Sequence, residues 1–254
     1  MKGRTRGGAI LETRRWRAAL FDLDGVITQT ARVHAAAWKR LFDGFLRERG
    51  EDCGTTFEPF DAVSDYQRYV DGKPRYDGVR SFLDARNISL PFGEADEPPG
   101  NDTVCGLANR KDALFTQYLD RHGVKVYVSS VDLVRALRAS GLGTAVVSAS
   151  RNCRSVLRAA GVEDLFDVRV DGVVAQQLKL RGKPAPDTFL HAARQLGVEP
   201  AAAVVFEDAV AGVQAASRGG FQCVVGVNRT GDAGGFYEHG ADIVVADLGD
   251  ISLR

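Results

Sequence analysis

The sequence predicts an α/β fold in which a parallel sheet carries an all-helical insertion after its first strand. Two observations favour this fold. From about residue 131 onwards, short apolar runs alternate with helix-length amphipathic segments, which is typical of βαβ units with helices on both faces of a parallel sheet. Residues 31–110 interrupt the alternation with helical patterns and no strong strand pattern, which predicts the insertion. A chain of 254 residues corresponds to one large domain or two small ones.

The sheet domain is predicted from apolar runs that end at turn-prone or polar residues. The first strand covers Ala18–Leu23 and ends at the turn-prone pair Asp24-Gly25. The later strands are predicted over Thr144–Ser148, Val168–Val170, Ala203–Phe206, Cys223–Val227 and Ile243–Val245. The helices between them are predicted over Val131–Ser140, Asn152–Ala160, Asp187–Leu196 and Val210–Gly219.

The insertion is predicted from apolar residues at helical spacing. The pattern covers Thr30–Arg49 and is followed by Gly50, a common helix stop. Further helices are predicted over Asp77–Arg86 and Lys111–Arg121, and the acidic, Pro- and Gly-rich residues 91–102 form a surface loop. We therefore divide the chain into a basic flexible tail (residues 1–17), a core domain (18–30 and 111–254) and a helical domain (31–110).

The overall charge excludes several classes of protein. Lys and Arg number 33, as do Asp and Glu, so the formal net charge is zero. This balance argues against a nucleic-acid-binding or polybasic membrane protein, and no apolar run approaches the ~20 residues of a membrane span. The tail differs because it contains six basic residues and a single acidic residue, Glu12. It is either a frayed terminus or a contact for an anionic partner.

The cysteines favour a reducing compartment. Cys53, Cys105, Cys153 and Cys223 are far apart and form no CxxC pair, so zinc and thioredoxin-like sites are disfavoured. We expect a cytoplasmic monomer with buried thiols.

Polar residues at the predicted strand ends point to the chemistry. Asp22 and Asp24 follow the first strand, Ser148 follows the second, and Glu207 and Asp208 follow the Ala203–Phe206 strand. The carboxyl ends of parallel strands meet at one edge, where open α/β sheets bind ligands. Clustered carboxylates need a compensating cation, and a set of oxygen ligands without His or Cys favours Mg²⁺.

These residues predict phosphoryl transfer. Mg²⁺ and Lys183 would neutralise phosphate oxygens, and Ser148 would donate a hydrogen bond. Asp22 could attack phosphorus as a nucleophile. Asp24, two residues on, could point to the same side and act as general acid and base.

The segment Asp22-Leu23-Asp24-Gly25-Val26-Ile27-Thr28 resembles the first motif of the haloacid dehalogenase superfamily. Ser148, Lys183 and the pair Glu207-Asp208 match its second, third and fourth motifs in order. The first motif alone would also fit a calcium loop, but the four together are specific. The resemblance covers residues 18–248 and implies a Rossmann-like parallel-sheet core with a small helical cap inserted after the first strand.

Within this superfamily the chain is similar to the β-phosphoglucomutases. The similarity implies that Asp22 is the nucleophile and Asp24 the acid/base, and that Ser148 and Lys183 hold the transferring phosphoryl group. Mg²⁺ would be held by Asp22, the Asp24 carbonyl and Asp208, with Glu207 beside it. A segment for the distal phosphate falls at Ser150, Arg151 and Asn152, where Arg151 replaces a lysine and keeps the charge.

The resemblance also assigns residues of the cap to the substrate. His34 and Trp38 match the cap entry, Arg75 an arginine for the non-transferring phosphate, and Lys111 a lysine at the cap's return. A structural role remains the alternative for each of these residues. His34 could lie on a helix surface, and Trp38 could pack in the core. Arg75 and Lys111 could be solvated charges, and Ser150 could cap a helix. Gln29 replaces an acidic residue that is common in the family's hinge.

Two enzymatic functions share all the core residues. A β-phosphoglucomutase converts β-glucose 1-phosphate into glucose 6-phosphate through glucose 1,6-bisphosphate, whereas a sugar-phosphate phosphatase lets water hydrolyse the aspartyl phosphate. His34, Arg75, Lys111 and Arg151 suggest two phosphate-binding positions, which favours the mutase. A non-catalytic binding module is disfavoured because both Asp22 and Asp24 are present.

Overall fold

The computed structural model describes residues 9–53, 58–229 and 234–254, without the side chains of residues 51–53. The chain forms two compact units. The sheet unit contains the described residues of Met1–Gln29 together with those of Lys125–Arg254, and the helical unit contains those of Thr30–Val124.

The sheet unit is built on a six-stranded parallel sheet, which confirms the predicted fold class. Its strand order is β4-β3-β2-β5-β6-β7, with a separate pair of β1 and β8. The strands are β1 (Ala9–Leu11), β2 (Ala18–Phe21), β3 (Gly143–Val147), β4 (Val168–Val170), β5 (Ala203–Glu207), β6 (Cys223–Val227), β7 (Ile243–Val245) and β8 (Ile251–Leu253).

Every residue of β2, β5 and β6 is buried, as expected for parallel strands that are covered on both faces. The chain runs outward from β2 through β3 to β4 and then resumes on the other side of β2 with β5. This reversal creates a switch point at the carboxyl ends of β2 and β5, where ligands bind in open α/β sheets.

The helices of the sheet unit follow its strands along the chain. They are α4 (Val128–Ala139), α5 (Cys153–Ala159), α6 (Gly172–Gln177), α7 (Asp187–Gln195), α8 (Val210–Arg218) and α9 (Gly234–Glu238). The apolar faces of α7 and α8 join the strands in one core, in which Phe189, Val205 and Val213 are fully buried.

The predicted flexible tail is corrected for residues 9–17. Strand β1 pairs in parallel with β8, and the Thr13 hydroxyl donates to the Arg254 carbonyl at 2.8 Å. The physical reason is that the apolar segment Ala9–Leu11 finds backbone partners at the other end of the chain and buries Leu11, which is 2% exposed. Residues 1–8 of the predicted tail lie outside the described residues.

The helical unit contains α1 (Ala31–Cys53), α2 (Arg75–Ala85) and α3 (Val104–His122), with one π-helical turn at Tyr66–Val70. An aromatic core joins them, in which Phe42 contacts the rings of Trp38, Phe60 and Phe82. None of the helices in the described ranges is long and apolar enough to cross a membrane.

The carboxyl boundary of the helical unit differs from the predicted residue 110. Helix α3 begins after Thr103, whose side chain accepts a hydrogen bond from the Gly106 N–H, and ends at Gly123 with φ 67°. Because α3 is continuous between these caps, a boundary inside it cannot separate two units. The helical unit therefore extends to Val124.

Candidate active site

The loop Asp22–Thr28, here called the catalytic loop, begins where β2 ends. The Asp22 N–H continues the ladder by donating to the Phe206 carbonyl of β5 at 2.9 Å. The Gly25 N–H then donates to the Thr28 carbonyl at 2.7 Å, which folds the loop back on itself. Asp22 and Asp24 are thereby held at the switch point of the sheet.

Lys183 joins the carboxyl ends of three strands, β2, β3 and β5. Its ammonium group donates to Asp22 Oδ1 at 2.5 Å, to Glu207 Oε1, and to the Val147 carbonyl at 3.3 Å. Lys183, Asp22 and Glu207 are 4%, 7% and 0% exposed. One buried cation is thus shared between two buried carboxylates, which is the compensation that such charges require.

Burial has opposite effects on Asp22 and Lys183. Desolvation raises the pKa of Asp22 well above its ordinary value, although the Lys183 charge opposes the rise. Desolvation lowers the pKa of Lys183, but the charges of Asp22 and Glu207 outweigh it, so the pKa of Lys183 is raised. Lys183 is therefore a permanent cation in this site.

Asp22, Glu207 and Asp208 form a group that can hold a metal ion, since each offers an oxygen within 4.8 Å of the others. Gly25 makes room for this group, because a Cβ at that position would lie 1.7 Å from Asp208 Oδ2. Gly25 also has φ +95°, which favours glycine. The donor set consists of carboxylate oxygens, which suits a hard divalent cation.

Glu207 also supports Lys183. Its Oε1 accepts from Lys183 and its Oε2 accepts from the Ala209 N–H at 2.9 Å. The side chain fits only because position 212 is glycine, since a Cβ there would lie 1.6 Å from Glu207 Oε1.

The loop after β3 brings Ser148 to the catalytic loop. The Ser148 hydroxyl donates to Asp24 Oδ2 at 3.2 Å and accepts from the Ser150 N–H at 3.1 Å. The Ser150 hydroxyl accepts from the Asn152 N–H at 3.1 Å, which closes a local turn before α5 and does not cap that helix. Arg151 lies exposed between them. The residues of all four motifs therefore lie at the carboxyl edge of one sheet.

In the helical unit, His34, Trp38 and Lys111 lie together. The Lys111 ammonium is 2.5 Å from His34 Nδ1 and 5.1 Å from the centre of the Trp38 ring. His34 stacks on Phe115 with 4.0 Å between ring centres. Lys111 is 4% exposed, so the alternative of a solvated face is wrong.

Trp38 takes the structural role that the sequence leaves open. It is 3% exposed and stacks on Phe42 in the aromatic core. The ring packs in the core and lies beside Lys111 within the helical unit, and the predicted substrate contact stays a prediction.

Arg75 is not a solvated charge either. Its Nη1 pairs with Asp112 Oδ2 at 2.8 Å, and its Nη2 donates to Asn109 Oδ1 at 2.9 Å and to the Tyr76 hydroxyl at 3.2 Å. Its side chain is 15% exposed. These contacts fix the guanidinium group on α2 and α3.

Gln29 is hydrogen-bonded to the segment at which the chain re-enters the sheet unit after α3. Its N–H donates to the Lys125 carbonyl at 2.8 Å, and its side-chain amide donates to the Val126 carbonyl at 3.2 Å. An ionised acidic side chain could not make the second bond because it has no donor.

Sequence reasoning missed Arg229, which donates to the Gly25 carbonyl at 2.8 Å. Arg229 lies two residues beyond the apolar strand β6, a position that does not by itself indicate a contact with Gly25.

Comparisons with known proteins agree with the family resemblance that the motifs predict. The profile of the haloacid dehalogenase-like hydrolases matches residues 16–220. A β-phosphoglucomutase of Mycobacterium bovis is 51% identical over 238 residues, which cover 92% of this chain and 91% of the relative. A trehalose-phosphate phosphatase of Mycobacterium leprae is 39% identical over 130 residues, or 50% of this chain and 28% of the relative.

Among solved structures, a β-phosphoglucomutase from Clostridium difficile superposes with a TM-score of 0.71 at 25% identity and covers 92% of each chain. The family match over residues 16–220 includes all four motifs that carry the predicted resemblance. The protein is an enzyme of the phosphotransferase or phosphatase type, and the chain belongs to the haloacid dehalogenase-like hydrolase family.

Proposed function

We propose that the protein is a β-phosphoglucomutase that converts β-glucose 1-phosphate into glucose 6-phosphate through glucose 1,6-bisphosphate. The observation that carries this proposal is the 51% identity to a β-phosphoglucomutase over 92% of the chain, a range that includes both units. The pairing of Asp22 with Lys183 and of Asp24 with Ser148 supports it.

Asp22 and Asp24 divide the reaction between them. In the first transfer, the phosphoryl group of phosphorylated Asp22 passes to the 6-hydroxyl of β-glucose 1-phosphate, and Asp24 accepts the proton of that hydroxyl. The resulting bisphosphate returns its 1-phosphoryl group to Asp22, and Asp24 gives the proton to the released sugar oxygen. Ser148, which contacts the Asp24 carboxyl, and Lys183, which contacts Asp22, would hold the transferring phosphoryl group, and Lys183 would neutralise its charge.

Mg²⁺ is the metal that we propose for the carboxylate group. Asp22, Asp208 and the Asp24 carbonyl would hold it, with Glu207 beside them. The oxygen-only donor set and the space that Gly25 leaves for Asp208 fit such an ion. When bound, the ion would withdraw charge from the phosphoryl oxygens and so favour attack by a carboxylate.

The substrate contacts are proposed from the resemblance. Ser150, Arg151 and Asn152 would bind the phosphate that is not being transferred, and the resemblance gives Arg75 the same kind of role within the helical unit. His34 and Lys111 would contact the sugar phosphate from the helical unit. We also propose a cytoplasmic monomer; the free, buried thiols of Cys105, Cys153 and Cys223 agree with a reducing compartment.

The test is a coupled assay of β-glucose 1-phosphate with catalytic glucose 1,6-bisphosphate and Mg²⁺. Both glucose 6-phosphate and inorganic phosphate are followed, with a reaction in EDTA as the control. Glucose 6-phosphate in large excess over inorganic phosphate supports the mutase. Release of inorganic phosphate without isomerisation would overturn it in favour of the phosphatase, the activity of the Mycobacterium leprae relative.

A further inference from the structure

We propose that Arg229 is a positioning residue that holds the backbone of the catalytic loop in its reactive shape. This inference rests on the proposed function, because it concerns the placement of Asp24 and of the metal-binding carbonyl beside it. Arg229 acts through the peptide groups of the loop rather than by touching the phosphoryl group.

The guanidinium group of Arg229 is fixed on three sides. Its Nε donates to the Gly25 carbonyl at 2.8 Å, and its Nη1 donates to Asp247 Oδ2 at 2.8 Å. Its plane lies over the Tyr127 ring, with 3.4 Å between the guanidinium carbon and the ring centre. The side chain is 19% exposed. A planar donor with these three contacts has little freedom to rotate.

Tyr127 ties the same loop at a second point. Its backbone N–H donates to the Ile27 carbonyl at 2.9 Å. Because Arg229 stacks on Tyr127, the carbonyls of Gly25 and Ile27 are held by two groups that are themselves packed together. Both sides of the turn in the catalytic loop are therefore anchored.

The anchored carbonyl lies one residue beyond Asp24. Rotation of the Gly25 backbone would move the Asp24 carbonyl, which we propose as a metal ligand, and the space that Asp208 occupies beside Gly25. A partner that orients a metal ligand commonly changes metal affinity or activity by about 10–100-fold when it is removed. The same size of effect is expected for Arg229.

The decisive variant is Arg229→Met, which keeps an unbranched apolar stem against Tyr127 and removes every donor. We expect its Mg²⁺ affinity, measured by titration calorimetry without substrate, to fall about 10–100-fold, with a comparable loss in kcat. The KM for β-glucose 1-phosphate should stay within about threefold of the wild type, because the substrate contacts are not altered. Arg229→Lys, with a single-point donor, should recover part of both losses.

The matched control is Asp247→Asn, which removes the charge of the ion pair but retains an oxygen acceptor for Arg229. It should lower the unfolding temperature while Mg²⁺ affinity and kcat stay near the wild-type values. Wild-type Mg²⁺ affinity and kcat in Arg229→Met would overturn the proposal, as would equal losses in both variants. If Arg229→Met does not fold, the Mg²⁺ affinity and kcat of Arg229→Lys are compared with those of the wild type and of Asp247→Asn in the same way.

The calorimetric measurement also separates this proposal from the function. Mg²⁺ binding does not depend on which sugar phosphate is the substrate. If the wild type shows no mutase activity but Arg229→Met still binds Mg²⁺ more weakly, the proposed function fails and the role of Arg229 stands. If the mutase assay succeeds and Mg²⁺ binding is unchanged in Arg229→Met, only the role of Arg229 fails.

Discussion

At the scale of single residues, the site depends on one buried lysine placed between two buried carboxylates. Lys183 contacts Asp22 and Glu207, and all three are at least nine-tenths buried. Such a group is stable only while each charge keeps its partner, because an uncompensated buried charge costs about 3–5 kcal/mol. The arrangement holds the carboxylate of Asp22 in place before a substrate arrives.

The first prediction tests Asp22 as the nucleophile. Asp22→Asn should reduce turnover at least roughly a thousandfold, because an amide oxygen carries no charge and attacks phosphorus poorly. The measurement is the steady-state rate of the coupled assay, with folding checked by circular dichroism. Asp132→Asn on α4, where the side chain is 63% exposed, is the control and should match the wild type. Turnover of Asp22→Asn within about tenfold of the wild type would contradict the covalent mechanism.

The second prediction concerns the metal. Asp208→Ala should weaken Mg²⁺ binding and remove most of the activity, since it deletes one of the few carboxylates in the group. Calorimetric titration with MgCl₂ measures the binding, and Asp132→Ala provides the matched loss of a surface carboxylate. If the wild-type enzyme keeps its activity in EDTA, this role of Asp208 is excluded.

At the scale of elements, one carboxylate joins the start of β3 to the segment that precedes β4. Asp167 Oδ2 accepts from the Thr144 N–H at 2.8 Å, and Oδ1 accepts from Arg138 Nη1 of α4 at 2.8 Å. Burial acts to raise the pKa of Asp167, but the hydrogen bonds of Thr144 and Arg138 outweigh it. The pKa is therefore lowered from its ordinary value of 3.8.

The third prediction follows from this shift. A lowered pKa in the folded state means that the ionised carboxylate stabilises the fold above its ordinary pKa, and that this stability is lost as pH falls through the folded-state pKa. Asp167→Asn should lower the free energy of unfolding at pH 7, and its difference from the wild type should shrink below pH 3.8. Urea unfolding at several pH values measures this. A constant difference across that range would contradict the assignment.

The strands of the six-stranded sheet could be predicted from sequence because most are short apolar runs between helical patterns. Val168–Val170 and Cys223–Val227 are predicted with the observed bounds. The pair of β1 and β8 could not be predicted, since strands of three residues carry no periodic signal and their pairing joins opposite ends of the chain. The start of α3 was missed because Val104–Ala108 is apolar on more than one face.

At the scale of the whole molecule, the proposed chemistry lies in the sheet unit, and the helical unit carries the residues for which the resemblance predicts further substrate contacts. The four motifs could be found in the sequence because each is a short local pattern. Arg229 could not, because its contact with Gly25 spans 204 residues and needs the strand order to be known. The roles of Trp38 and Lys111 likewise depended on packing, since a helix pattern does not distinguish a core position from a ligand-binding one.

The last prediction asks whether the helical unit holds a second phosphate. A mutase must bind the phosphate that is not being transferred, so that each phosphate of the bisphosphate can be placed next to Asp22 in turn. Arg75→Ala should then slow bisphosphate-dependent isomerisation by roughly tenfold to over a hundredfold, the equivalent of about 1.5–3 kcal/mol for a lost charge-assisted contact. Transfer from a small acyl phosphate to Asp22 should stay nearly intact, because that donor has no second phosphate.

The contacts of Arg75 with Asp112 and Asn109 require a control, since their loss could act through the fold alone. Asp112→Asn breaks the ion pair but leaves the guanidinium group in place, so its isomerisation rate should stay within about threefold of the wild type while its unfolding temperature falls. Both variants are compared by mutase flux, phosphoenzyme formation and thermal unfolding. If Arg75→Ala and Asp112→Asn lose isomerisation equally, Arg75 serves the helical unit and not the substrate. If only Arg75→Ala loses it, and phosphoenzyme still forms from the acyl phosphate, a second phosphate is bound there, which a mutase requires and a monophosphate phosphatase does not.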